Sequence, residues 1–198
     1  MDLIFKAFDG KPLVDLNGSP YLVNTLADHV PATPPEFLHQ VTRELVGLAD
    51  FSRCDKIVGE EDRGGYVAAI TAYLVDRAVS LVRWSPLGLP GEASFPFRSA
   101  YAEGHMYLNG IDAGDRVIVV EDFIDTGGTI IALIGLLREI GAEIVDVLAV
   151  AEKLDRKPRE RILRETGVSP KVLVKLILEK GTSKVVERCP PGGADRKA

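Results

Sequence analysis

What the chain has little of narrows the choices first. Its 198 residues include two cysteines, Cys54 and Cys189. These make neither a disulfide framework nor a metal-ligand spacing, so free thiols in a reducing compartment are expected. No apolar run approaches the ~20 residues needed to cross a bilayer. The start Met1-Asp2-Leu3-Ile4-Phe5-Lys6 lacks the pattern of a signal peptide. A cytoplasmic protein with no membrane partner is therefore expected. Basic charge is not in excess: 24 basic against 29 acidic residues, a net charge of −5, argue against nucleic-acid binding by charge. Gly-x-Gly-x-x-Gly is absent after the first strand–helix unit, which speaks against a dinucleotide site. What is present is an ordinary globular composition, 46% apolar and 27% charged, in a length that suits one domain with a substantial core.

Residues 1–33 hold short apolar runs broken by Asp9-Gly10, Asn17-Gly18 and Pro20, and they predict hairpin or loop structure. Pro34-Pro35-Glu36 opens a helix whose apolar positions Phe37, Leu38, Val41, Leu45, Val46 and Leu48 keep helical spacing. Strands are then expected over 55–58, 79–82, 106–108, 117–120, 143–151 and 172–178. Helices are expected over 64–74, 130–140 and 158–165. A stretch rich in proline and glycine fills 85–98, and a frayed tail follows Cys189. Alternating strands and helices with short connections predict an α/β fold, a mostly parallel sheet flanked by helices. Ligands of such sheets lie beyond the carboxyl ends of the strands.

The most informative block is Val117-Ile118-Val119-Val120-Glu121-Asp122-Phe123-Ile124-Asp125-Thr126-Gly127-Gly128-Thr129. A buried strand runs into two carboxylates, a loop with two glycines and a helix start, where main-chain N–H groups can hold a phosphate. Acids beside a phosphate cradle would repel an anion unless they serve ribose hydroxyls or a bridging metal. A sugar phosphate with free hydroxyls satisfies both halves. A second loop, Gly59-Glu60-Glu61-Asp62-Arg63-Gly64-Gly65, also joins a strand to a helix. Asp125 and Lys153 are separated by one helix and one strand, which puts both at the carboxyl ends of adjacent strands. Lysine is donor-only, so it suits an oxygen on a ligand, or else simply pairs with Asp125, Glu152 or Asp155.

The block 117–129 resembles the thirteen-residue signature of type I phosphoribosyltransferases, which bind 5-phosphoribosyl-1-pyrophosphate (PRPP). Together with Glu-Glu-Asp-Arg-Gly-Gly at 60–65, it looks most like archaeal adenine phosphoribosyltransferases, with features of the 6-oxopurine enzymes. The resemblance implies the type I phosphoribosyltransferase fold, with an N-terminal hood at 1–33, a core at 34–188 carrying a flexible lid about 84–105, and a flexible tail at 189–198. It implies that Asn24 to Pro31 close over the base. Thr126, Gly127, Gly128 and Thr129 would hold the 5′-phosphate, and Glu121 and Asp122 the ribose hydroxyls. Glu61, Asp62, Arg63, Gly64 and Arg98 would meet pyrophosphate, with a cis peptide between Glu61 and Asp62.

Phe123, Ile124 and Lys153 would contact the base, with Asp125 at purine N7 as general base. Glu121, Asp122 and Asp125 are thus the catalytic candidates. Tyr101-Ala102-Glu103-Gly104 resembles the Glu-Tyr-Gly of adenine enzymes with the order altered, and Trp84 is left without a role. Mg²⁺ is the implied cofactor, carried by PRPP and touched by Glu121 and Asp122 without a dedicated protein site. The implied partners are PRPP, a purine base and a second copy of the chain. The expected reaction is adenine with PRPP to AMP and pyrophosphate, with hypoxanthine, guanine or xanthine as the alternative base. A PRPP-sensing regulator is the rival from another class, disfavoured by the missing basic face. Asp125, where orotate enzymes usually carry threonine, favours a purine.

Overall fold

The computed structural model describes residues 2–16, 18–98 and 103–191, with the side chains of Arg98 and Glu103 set apart. The readings placed on those two side chains, on Tyr101 and Ala102, and on 192–198 lie outside the described residues.

Four consecutive apolar residues, Val117 to Val120, are fully buried, as a strand covered on both faces requires. They belong to β7 (Arg116–Ile124) at the middle of a six-stranded sheet. Its order is β10-β9-β8-β7-β3-β4, where β3 is Lys56–Glu60, β4 Ala78–Val82, β8 Glu143–Lys153, β9 Lys171–Glu179 and β10 Thr182–Arg188. All neighbours are parallel except β9 and β10. The chain leaves β3 outward to β4, then returns to β7 on the other side of β3. The strand order therefore reverses between β3 and β7, which is where a ligand crevice opens in such sheets. Hydrogen-bonded register between the two stops at Val58 and Val119, two residues short of Glu60 and Glu121.

One face of the sheet is covered by α1 (Leu3–Phe8), α2 (Pro35–Val46) and α3 (Gly64–Val75). The other carries α4 (Gly128–Ile140), α5 (Pro158–Thr166) and a hairpin of β5 (Ala93–Arg98) with β6 (Glu103–Leu108). Apolar residues run nearly all round α4 because it packs on the sheet with one side and on β5 with another. A Cβ on Gly135 would come 2.6 Å from the Phe95 ring. A second hairpin, β1 (Leu13–Leu16) with β2 (Ser19–Leu22), projects over the carboxyl ends of the strands.

The structure departs from the sequence reading in four places. The signature strand extends to Ile124, so Glu121 and Asp122 lie within it and not after it. The proline-rich stretch ends in strand β5, where Pro96 is tolerated in a two-stranded ribbon with a free edge. Residues 1–33 contain helix α1, capped by Asp2 accepting the Phe5 N–H at 3.0 Å and buried through Ile4 and Phe8. Six residues are too few for periodicity to announce them. Strand β10 reads as polar because it is an edge strand. It is set by the Lys180-Gly181 turn, both residues at positive φ (52° and 80°), as a two-residue hairpin demands.

The stability of β3 depends on a close approach. A Cβ at Gly59 would stand 2.5 Å from the Ala68 Cβ of α3. Gly59→Ala is expected to destabilise the protein by about 1–3 kcal/mol through overpacking, read as a lower midpoint in urea unfolding.

Candidate active site

The crevice at the strand reversal is a cavity of about 530 Å³. Its floor is made by the ends of β3 and β7. Glu60, Glu121 and Asp122 are 8%, 4% and 5% exposed, three carboxyl groups of one cavity held out of water. Burial pushes the Glu60 carboxyl up to about 7, against the lowering effect of N–H donors from Trp84 and Asp62. Burial, then the neighbouring Asp122, holds Glu121 well above the usual carboxylate range. Burial also raises Asp122, which Glu121 and Arg63 partly offset.

Past β7 the chain makes a tight loop. Gly127 takes φ 78°, and a Cβ there would come 2.8 Å from Ile162 of α5, so both its conformation and its surroundings require glycine. Thr126 Oγ1 accepts the Gly128 N–H at 3.4 Å. The first turn of α4 then points main-chain N–H groups, without partners inside the helix, at the cavity. Thr126 to Ile130 line that wall.

Lys153 closes the next side. Its side chain is 6% exposed and its Nζ stands 3.1 Å from Asp125 Oδ1. Glu152 turns away to Arg159 at 2.8 Å, and Asp155 accepts the Leu178 N–H at 3.2 Å. Opposite, Arg63 sits 5.3 Å over the Tyr21 ring, 3.7 Å from Asp62 and 4.0 Å from Asp28. Tyr21 in turn donates its hydroxyl to Asp28 at 2.6 Å, and Asp28 accepts the Asn24 N–H at 2.9 Å. Leu16, Pro20, Tyr21, Leu22, Asn24 and Ala27 form the roof.

A phosphoribosyl transferase domain model matches residues 55–171, more than half of the chain. The hypoxanthine/guanine phosphoribosyltransferase of Methanopyrus kandleri is 39% identical over 187 residues, covering 94% of this chain and 98% of that protein. The chain belongs to the phosphoribosyl transferase family. The Methanothermobacter thermautotrophicus protein of the same name is 35% identical, covering 98% of both chains. Among solved structures, adenine phosphoribosyltransferase from Rhodothermus marinus superposes with a TM-score of 0.73 at 24% identity, covering 88% of this chain and 97% of that one. That likeness shows the fold, which is the type I phosphoribosyltransferase fold.

Against this cavity, the residues predicted from the sequence divide. Glu121, Asp122, Phe123, Ile124, Asp125, Thr126, Gly127, Gly128, Thr129, Lys153, Asp62 and Arg63 all line the one cavity. Glu61 does not line it: its Oε1 accepts the Trp84 main-chain N–H at 2.7 Å. Gly64 lies behind the lining, where a Cβ would overlap Glu121 Oε1. The cis bond among the described residues is between Val30 and Pro31, and the peptide between Glu61 and Asp62 is trans. Glu60 and Trp84 are among the lining residues that were given no role by the sequence. The Trp84 indole N–H donates to Glu60 Oε1, and its ring packs 4.3 Å from that of Phe97. Leu178, near the end of β9, is another. A glutamate at a strand's last position was the one available signal, and neighbouring acids masked it.

The raised Glu60 carboxyl fixes a sign. The folded protein binds this proton more tightly than the unfolded chain, so stability falls as pH rises between 4.5 and about 7. The melting temperature of ligand-free protein is expected to drop across that window, and Glu60→Gln to flatten the drop. A wild-type profile that rises there would contradict the burial of this charge.

Proposed function

We propose that this phosphoribosyltransferase moves the 5-phosphoribosyl group of PRPP to N9 of a 6-oxopurine, hypoxanthine or guanine, and releases pyrophosphate. The observation that carries the base assignment is Lys153, an ammonium buried in the cavity wall against Asp125. It offers only donors. An exocyclic oxygen at position 6 accepts from it, whereas the amino group of adenine presents a competing donor. The names of the two archaeal relatives point the same way.

On this reading the 5′-phosphate lies in the loop 126–129, met by main-chain N–H groups and the hydroxyls of Thr126 and Thr129. Glu121 and Asp122 accept from the ribose hydroxyls. Their negative charge also faces the sugar as the C1′–O bond breaks and positive charge grows on the ring. Arg63 meets the departing pyrophosphate, and Asp125 takes a hydrogen bond or proton at N7. Phe123 and Ile124 flank the base. The hood closes over it, and the segment about 84–105 acts as the lid that excludes water from PRPP.

The donor chemistry suits Mg²⁺: the lining acids are hard oxygen ligands. Among the described residues no three of them cluster into a protein-only cage, and Mg²⁺ usually binds through one or two carboxylates plus substrate phosphates. Charge neutralisation on the pyrophosphate oxygens is the chemistry such an ion supplies. A homodimer in the cytoplasm completes the proposal.

Adenine is the second reading. It is favoured by the loop around Arg63 and by Lys153 being already engaged with Asp125. Nucleotide synthesis from PRPP and Mg²⁺ should be assayed with adenine, hypoxanthine, guanine, xanthine and orotate in turn. Preference for hypoxanthine or guanine is expected; turnover of adenine alone reverses the assignment. Lys153→Ala should lower kcat/KM for the oxopurine about 10- to 100-fold, the worth of a charged hydrogen bond, and adenine use far less. Asp125→Asn should lower kcat by about 100-fold or more with PRPP affinity nearly intact. Unaltered turnover would remove Asp125 from proton transfer.

A further inference from the structure

The loop that receives pyrophosphate on the reading above carries three acids, Glu60, Glu61 and Asp62, before its arginine. An anion-binding loop gains nothing from them as charges. Two of the three are directed at one residue outside the loop, two positions past the end of β4. Glu60 Oε1 accepts the indole N–H of Trp84 and the main-chain N–H of Asp62, the latter at 3.2 Å. Glu61 Oε1 accepts the main-chain N–H of Trp84 at 2.7 Å, and the Glu61 N–H donates to the Val82 carbonyl at 2.8 Å. Trp84 is itself fixed from the far side. Arg83 exchanges main-chain hydrogen bonds with Tyr107 of β6 at 2.8 and 2.9 Å, and the Trp84 ring lies on Phe97 of β5. The loop 60–63 is thereby tied to the base of the β5–β6 hairpin.

We propose that Trp84 and Glu60 form a positioning pair that holds the loop 60–63 in the shape that receives pyrophosphate. The proposal rests on the phosphoribosyl-transfer reading of this loop. Glu60 serves as an acceptor that sets the turn, and its carboxylate charge is the cost of that role. The pair acts through Arg63 and the loop amides and does not touch the reacting atoms. Removing the donor and removing the charge should therefore have opposite consequences.

The test is calorimetric titration of pyrophosphate with excess Mg²⁺ into wild type, Trp84→Phe and Glu60→Gln. Trp84→Phe keeps a ring against Phe97 and deletes the indole donor. It should weaken pyrophosphate about tenfold to hundredfold, the worth of one hydrogen bond to a charged group, and raise KM for PRPP by a similar factor with kcat within about twofold. Glu60→Gln keeps an acceptor and drops the charge, so it should bind pyrophosphate at least as tightly as wild type. Trp84 is the chain's single tryptophan. Its fluorescence in unmodified protein should change saturably, with the calorimetric midpoint. Wild-type affinity in Trp84→Phe, or emission blind to bound pyrophosphate, overturns the pair and leaves the functional reading standing. Wild type that binds no pyrophosphate brings down that reading, and the pair with it.

Discussion

Three buried carboxyl groups, one at the end of β3 and two near the end of the adjacent parallel strand β7, are the constraint on which the rest of the structure depends. Glu60, Glu121 and Asp122 are each more than nine-tenths buried, and Arg63 is the cation that lowers the Asp122 value. Burying like charges together is costly. The cost is met by the sheet, whose apolar strands and close helix packing hold β3 and β7 wherever their last residues fall. The raised values of the three groups show the protein's response, which favours their protonated form over buried charge.

The side of the cavity formed by the loop 126–129 is built by the opposite device, main-chain donors held by packing from behind. Ile162 of α5 lies against Gly127, and Arg161 Nη1 donates to the Thr126 carbonyl at 3.3 Å. Carbonyl and N–H point opposite ways across one planar peptide. Turning the Thr126 carbonyl toward α5 therefore turns the Gly127 N–H away from it. Helix α5 is anchored in turn by Arg159 on the buried Glu152, the residue beside Lys153. The loop and the lysine thus share one support.

The roof is linked to the floor through Arg63. Its guanidinium lies over Tyr21, whose hydroxyl is held by Asp28. Tyr66 of α3 reaches the Leu26 carbonyl at 2.5 Å. The segment above the cavity and the helix that starts at the loop are therefore cross-braced.

Much of this was legible in the chain itself. The alternation of strands and helices, and the strand-acid-acid-loop-helix block at 117–129, are written in contiguous residues whose hydrophobicity and glycine placement act locally. That is why the α/β class, the parallel sheet and the cavity wall from Glu121 to Thr129 could be read directly. Helix α1 and strand β10 could not, because each is short or polar and owes its form to a partner: Gly10 and Ser183, far apart in sequence, share a main-chain hydrogen bond of 2.8 Å. The direction of Lys153, the turning of Glu61 away from the cavity, and the meeting of Glu60 with Trp84 were likewise decided only by the tertiary structure. Side-chain direction and burial at a strand's end depend on which other strand ends lie beside it, and no local pattern encodes that neighbourhood.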